Sequence, residues 1–260
     1  ITCLENNWAQ KEVTSMRIKV IIPFAVDQVG VAKRSAQIPR SIIDEGVEVH
    51  YVPVFNSPKT IDSFYDALQV EMFIVEEGLR SEEQGYDAVW IDTVSDSGMT
   101  PLRSRLNIPV IGPGLAAYHV ASLLAKKFSI VVMWKRWANN CKESLNRYQL
   151  WDQVASIRAL DFEPNVRDLI TKPEVIFPAL EEASRKAIEE DGAGAIVLGS
   201  TTMHSACDYL QEKLPVPVIN PGPASIYVAK MLVDMKLSQS KVDYLPSPEP
   251  NDDLFPKRPV

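Results

Sequence analysis

Ala88-Val-Trp-Ile-Asp-Thr93 and Ala195-Ile-Val-Leu-Gly-Ser200 begin the two stretches on which the reading of the fold turns. Each is a short apolar run ending in a hydroxyl residue. The first continues through a polar, helix-like segment to Ile108-Pro-Val-Ile-Gly-Pro-Gly114. The second continues likewise to Val216-Pro-Val-Ile-Asn-Pro-Gly222. The offset is 107 residues from Ala88 to Ala195 and 108 from Ile108 to Val216, so one residue was gained between them. Earlier segments fall into step as well: residues 18–23 correspond to 128–133, and 47–55 to 154–162. Four ordered matches mark an internal repeat, and a repeat constrains the fold more than any local propensity does.

Each half reads β-α-β-α-β-α-β. The runs 18–23, 47–53, 88–92 and 108–111 are short, β-branched and bounded by turn residues. Residues 61–80 have a helical apolar period with charges on the opposite face. In the second half the matching long helix spans 173–191, with Pro173 suited to a first turn and Gly192 to a stop. Strands alternating with helices imply parallel sheets covered on both faces. The expected class is therefore α/β: two pseudo-symmetric domains, each a four-stranded parallel sheet flanked by helices, with the site in the cleft between them. The expected boundaries are 16–115 plus 224–243 for the first domain and 116–223 for the second, a helix at 224–237 packing back on the first. Residues 1–15 read as an N-terminal extension or an expression remnant. Residues 244–260 hold five prolines and read as an extended surface arm.

Composition narrows the partners. Hydrophobic residues make up 46% and charged residues 23%, as in a folded globular chain. The formal net charge of −7, without a stripe of Lys and Arg among aromatics, speaks against nucleic acid or an anionic membrane surface. No run approaches the roughly 18 apolar residues of a membrane helix. Polar residues from Glu5 to Glu12 break up any secretory signal core. The three cysteines, Cys3, Cys141 and Cys207, have no CxxC spacing, so neither a disulfide framework nor a metal site is expected. A reducing compartment, the cytoplasm, and a homo-oligomeric state complete these expectations.

In parallel α/β sheets, ligands gather beyond the carboxyl ends of the strands, where helices begin. The repeat places Thr93 and Ser200 at such ends, followed by Ser95, Asp96 and Ser97 in one half and by Thr201, Thr202 and His204 in the other. Hydroxyl-rich turns entering helices offer N–H groups and the positive helix end to an anion. The same residues also serve as ordinary caps, and two symmetry-related turns balance the two readings. His204 lies four residues after Ser200, about one α-helical turn, and titrates in the range of a general base. Asp92 and Asp96 flank Thr93 and supply carboxylates on the opposite wall. Cys207 reads as a core thiol, and Trp134 and Trp137, beside Cys141, as core aromatics in preference to a cleft lid. Gly112, Gly114 and Gly222 read as turn residues, since neither GxGxxG nor GxxxxGK[ST] occurs.

The order of strand-tip residue, loop, helix and a (V/I)PV(I/V)-type strand ending in a small-residue turn, twice over, resembles the aspartate/glutamate/hydantoin racemase superfamily. Residues 87–98 and 195–203 look most like hydantoin racemases, and the likeness extends over most of 16–237. The resemblance implies two pseudo-symmetric α/β domains and cofactor-free removal and return of a proton next to a carboxyl or carbonyl group. Related members run isomerisations and decarboxylations through enolate-like intermediates. The family's chemistry rests on a cysteine at each strand tip, where this chain has Thr93 and Ser200. A thiol near pKa ~8.5 yields usable thiolate, whereas an aliphatic hydroxyl does not ionise near neutral pH. The family's Asn- and Thr-rich first turn is altered here to Ile22-Pro23-Phe24-Ala25.

The expected catalytic set is Thr93, Ser200, His204 and Asp96. The expected substrate-binding set is Pro23, Phe24, Ser95, Ser97, Thr201, Thr202 and Asn220, acting on a small carboxylate or cyclic amide without metal or cofactor. Three functions stay open: an isomerase or racemase with a non-thiol acid/base set, a lyase or hydrolase using Ser200 with His204 as base, and a two-lobed carboxylate binder without turnover.

Overall fold

The computed structural model describes residues 15–61, 63–163, 165 and 167–256. The expectation for residues 1–15 falls almost wholly outside this range, as do the last four residues of the expected arm. The first half runs β1 (Arg17–Ile22), α1 (Gln28–Ser35), α2 (Arg40–Asp44), β2 (Glu48–Pro53), α3 (Phe64–Gly78), β3 (Ala88–Ile91), α4 (Met99–Arg105), β4 (Val110–Ile111) and α5 (Pro113–Leu124). The second half runs β5 (Phe128–Val132), α6 (Trp137–Tyr148), β6 (Val154–Ala159), α7 (Asp168–Thr171), α8 (Pro173–Glu189), β7 (Ile196–Leu198), α9 (Cys207–Lys213), β8 (Val218–Ile219) and α10 (Pro221–Asp234). Both sheets are four-stranded and parallel, in the matching orders β2-β1-β3-β4 and β6-β5-β7-β8. An inner strand of each sheet, β3 or β7, ends two residues before the tip residue that the repeat singles out, Thr93 or Ser200.

Burial explains the apolar runs. Val20, Ile21, Trp90 and Ile91 in the first sheet, and Ile130, Val131, Val197 and Leu198 in the second, are all fully buried. Helices cover both faces of each sheet, so no strand needs a polar side. Helix α3 starts three residues later than the periodicity suggests, because Ser63 caps it by accepting the Asp66 N–H at 3.1 Å. The small-residue turns after β4 and β8 are helix starts, with Pro113 and Pro221 in the first turn. Gly114 and Gly222 stand there because the backbone comes close to its neighbours, not because of a turn. A Cβ at Gly114 would lie 2.4 Å from the Val94 carbonyl oxygen, and one at Gly222 2.0 Å from Gln37 Oε1.

The connecting helices cross over. Ala117, Tyr118 and Ala121 of α5 belong to the core under the second sheet, with Phe128 and Val197. Ile226 and Ala229 of α10 belong to the core under the first sheet, with Val20, Trp90 and Ile111. Beyond α10 the chain returns along the first half. Gln239 accepts the Val110 N–H and donates to the Leu106 and Ile108 carbonyls, which closes the open edge of β4. Arg105 pairs with Asp252, and Arg103 donates to the Tyr244 hydroxyl. Among the described residues, no helix is long and apolar enough to cross a membrane.

Candidate active site

The carboxyl ends of β1 and β3 face those of β5 and β7 across a cavity of about 590 Å³. Thr93 and Ser200 both line it, each from its own half. Thr93 Oγ1 lies 3.0 Å from Ser95 Oγ, which in turn lies 2.9 Å from Ser97 Oγ. On the other wall, Ser200 sits in extended backbone and caps the 3-10 helix Thr201–Ala206 by accepting the Thr202 N–H at 3.2 Å. Its Oγ is also 2.8 Å from Thr202 Oγ1. Each strand tip therefore starts a short chain of hydroxyls. Phe24, Ser95, Thr201 and Thr202 join Thr93 and Ser200 on the wall.

Within this wall an ion pair of half-buried Arg34 and buried Asp92 ties the halves together. Arg34 Nη1 is 3.1 Å from Asp92 Oδ2 and donates at the same distance to Thr201 Oγ1 of the other half. Thr201 Oγ1 donates in turn to the Asp92 carbonyl at 3.4 Å, and Gln37 Nε2 donates to Asp92 Oδ1 at the same length. Burial raises the Asp92 carboxyl above the usual carboxylate range, and the Arg34 guanidinium pulls it back down. Asp92 holds Arg34 in place, and Arg34 keeps its inner edge against the second half.

Five of the expected site residues do not reach the wall. Asp96 turns inward with φ 54° and accepts from the Gly114 and Leu115 N–H groups, both at 2.8 Å, and from the Tyr148 hydroxyl at 2.6 Å. Desolvation pushes its carboxyl up to about 6, even against those three donors. It caps α5 and does not face a ligand. Ser97 is buried behind Ser95. Pro23 stands just before Phe24, the first residue of that turn to line the cavity. Asn220 opens α10, and its Oδ1 is buried with no partner among the described residues. His204 is half-buried outside the cavity wall because its segment is a 3-10 helix. At three residues per turn, four residues rotate a side chain about 120° off alignment, against about 40° in an α-helix. Burial lowers its pKa, while the nearby Asp92 charge acts in the opposite direction.

The first-half helix start is likewise occupied. The Gly98 N–H at the head of α4 donates to Glu71 Oε1 at 3.1 Å, so it does not open on a ligand. Residues that sequence reasoning passed over fill the rest of the wall. Arg34, Ser57, Lys59 and Thr60 come from the first half, and Asn140, Asn165 and Arg167 from the second. Their signal was available in the sequence, where Pro and Asn follow the second strand of each repeat, as Asn56-Ser-Pro-Lys59 and Pro164-Asn165. Trp137 lines the cavity and packs edge-on against Trp134 at 4.1 Å between ring centroids, so one aromatic of the pair does reach the cleft. Cys141 also borders it, but burial pushes its thiol up to about 12 and keeps it protonated. Cys207 packs at the rim of the second core, its thiol raised to about 11. Among the described residues, no three His, Cys, Asp or Glu side chains gather as a metal site.

Known proteins are similar to this chain in sequence and in fold. The chain is 30% identical over 234 residues to a hydantoin racemase of Pseudomonas sp. (strain NS671), covering 90% of this chain and 92% of that one. Its structure is similar to that of an allantoin racemase from Klebsiella pneumoniae, with a TM-score of 0.82 and 30% identity over 91% of this chain and 95% of the other. Arylmalonate decarboxylase shares the fold at a TM-score of 0.58 and 18% identity, over 84% of this chain and 92% of that one. The profile of the Asp/Glu/hydantoin racemase family matches residues 30–229. This chain belongs to the Asp/Glu/hydantoin racemase family.

Proposed function

We propose that the protein is a cofactor-independent isomerase of the racemase type, acting on the carbon next to a carboxyl or carbonyl group of a small molecule held in the inter-half cavity. One observation carries this reading: the two repeat-related strand tips, Thr93 and Ser200, line the same cavity. Inverting a stereocentre needs a group on each face of one carbon, and a two-fold repeat supplies one tip per face. A hydroxyl is not itself a base near neutral pH, so the proton taken from the substrate ends on Asp92, the one carboxylate among the described residues of the wall, and the tips relay it from and back to the two faces of the carbon. The similarity to hydantoin and allantoin racemases supports the reaction class.

A lyase of the decarboxylating kind is the second reading, favoured by the same wall. Loss of carbon dioxide leaves an enolate without any base, and then needs only hydrogen-bond donors and one returned proton. The wall is rich in donors, whereas His204 and Asp96 stand off it. The test is incubation of hydantoins, amino acids, malonates and hydroxy acids with the enzyme in heavy water, followed by NMR. Deuterium entering without net loss of substrate supports the isomerase, and cleavage supports the lyase. Binding without either result rejects both.

A further inference from the structure

The chain as a whole carries a formal charge of −7, yet its cavity is cationic. Among the described residues the wall holds Arg34, Lys59 and Arg167 against one carboxylate, Asp92; three less one leaves two positive charges. Arg34 is the matched cation, paired with Asp92. Lys59 and Arg167 have no carboxylate within ion-pair distance among the described residues, and both are exposed to solvent. They also stand at neighbouring places in the repeat, each after the second strand of its half. Lys59 lies six residues beyond Pro53, the end of β2 (59 − 53), and Arg167 eight beyond Ala159, the end of β6 (167 − 159). A ligand that fills the cavity thus meets one uncommitted cation from each half.

We propose that Lys59 and Arg167 form an anion clamp across the cleft that selects a small dicarboxylate over a monoacid and over a neutral cyclic amide. The proposal rests on the reading of this cavity as the substrate site. Like-charged side chains facing one cavity repel each other, and a dianion relieves that repulsion at both rims. Arg167 offers a planar fork that takes a carboxylate through two hydrogen bonds, while Lys59 acts as a point charge. A neutral cyclic amide satisfies neither and leaves both cations to water. Exposed charges are also screened within a Debye length of about 8 Å at physiological salt, which makes the clamp sensitive to ionic strength.

The test is calorimetric titration of the full chain at neutral pH. The probes are malonate, succinate and phenylsuccinate, their monoacid counterparts acetate, butyrate and 3-phenylpropionate, and the neutral 5-benzylhydantoin and allantoin. At least one dianion is expected to bind about tenfold or more tightly than its monoacid. Lys59→Gln and Arg167→Gln should each weaken that dianion about tenfold, and the wild-type affinity should fall as salt rises from about 20 to about 200 mM. Both side chains are exposed, so circular dichroism should show both variants folded. Dianion affinity within about twofold of wild type in both folded variants overturns the clamp, as does a failure of every probe to bind. A neutral amide that binds as tightly as every dianion, or exchanges its proton unaffected by either substitution, also overturns the clamp but leaves the isomerase reading standing. Dianion binding that depends on both cations, with neither exchange nor cleavage, sustains the clamp and counts against the catalytic reading alone.

Discussion

Asp96 holds a left-handed backbone at φ 54°, a conformation that costs most residues roughly 1–2 kcal/mol and that Asp and Asn tolerate best. It is buried completely, with two N–H groups of α5 and the Tyr148 hydroxyl on its carboxylate. In the unfolded chain this carboxyl titrates near its ordinary value of 3.8, and in the folded chain near 6. The folded state therefore binds the proton more tightly, so the stabilisation is complete below the ordinary value and is lost as pH rises through about 6. Asp96→Asn keeps the backbone preference and removes the titration. Urea unfolding should show a larger gap between wild type and variant at about pH 4 than at about pH 7. An equal gap at both would mean that folding does not shift the pKa of this carboxyl. Ser200 belongs to the same scale. Its hydroxyl both caps the segment behind it and faces the cavity, and the cap alone is worth about 1 kcal/mol. If it also relays the proton, Ser200→Ala should lower turnover at least ~100-fold while melting only slightly earlier. Turnover that falls merely in proportion to folded protein would leave Ser200 a cap and nothing more.

Elements, more than residues, explain which parts of the site could be read from the chain. The strand tips were legible because parallel strands announce themselves by continuous apolar runs, and the repeat fixed where each run ends. The twist of the segment after Ser200 was not. Ser200, Thr201 and Thr202 suit the start of an α-helix or a 3-10 helix equally well, and the contacts of Thr201 with Arg34 and Asp92 join residues far apart in sequence. Asp96 was legible as a helix-start carboxylate but not as the cap of α5, a helix that begins 17 residues later (113 − 96). That contact depends on Gly114, where two effects oppose each other. Ala in place of Gly favours a helix by about 1 kcal/mol. The added Cβ, however, would meet the Val94 carbonyl at 2.4 Å and Asp96 Oδ2 at 2.9 Å, and a backbone carbonyl cannot swing aside. Overpacking of this kind costs roughly 1–3 kcal/mol or more, so the clash wins. Gly114→Ala should lower the melting temperature and, by shifting the turn that carries Thr93, reduce ligand affinity as well. A variant as stable as wild type would show that α5 can slide without cost.

At the scale of the whole molecule, the two halves share their cores through exchanged helices. Helix α5 leaves the first sheet and packs its Ala117, Tyr118 and Ala121 under the second. Helix α10 leaves the second sheet and packs Ile226 and Ala229 under the first. Residues 224–237 were expected to pack back on the first half, and Ile226 and Ala229 of α10 do so. The expected boundary at 115/116 likewise gave most of α5 to the second half, although a mostly apolar helix with small residues on several sides does not by itself declare which sheet it covers. The loop cations were the least legible, since Lys and Arg in Pro- and Asn-bearing loops read as solvated wherever they stand. Exchange of helices has a thermodynamic consequence: neither half can unfold without stripping a covering helix from the other. Ile226 tests this, being fully buried against Val20, Trp90 and Ile111 although it follows the last strand of the second half. Ile226→Ala should cost about 2–5 kcal/mol from lost burial and the cavity left behind. The loss should appear in both halves at once. Hydrogen exchange followed by mass spectrometry along a denaturant series should show peptides covering β1 and β5 losing protection at one midpoint in wild type. In the variant both midpoints should move down together by the same amount. If β5 kept its wild-type midpoint while β1 opened early, the halves would be independent domains joined by helices. The cleft between them would then be free to open without disturbing either core.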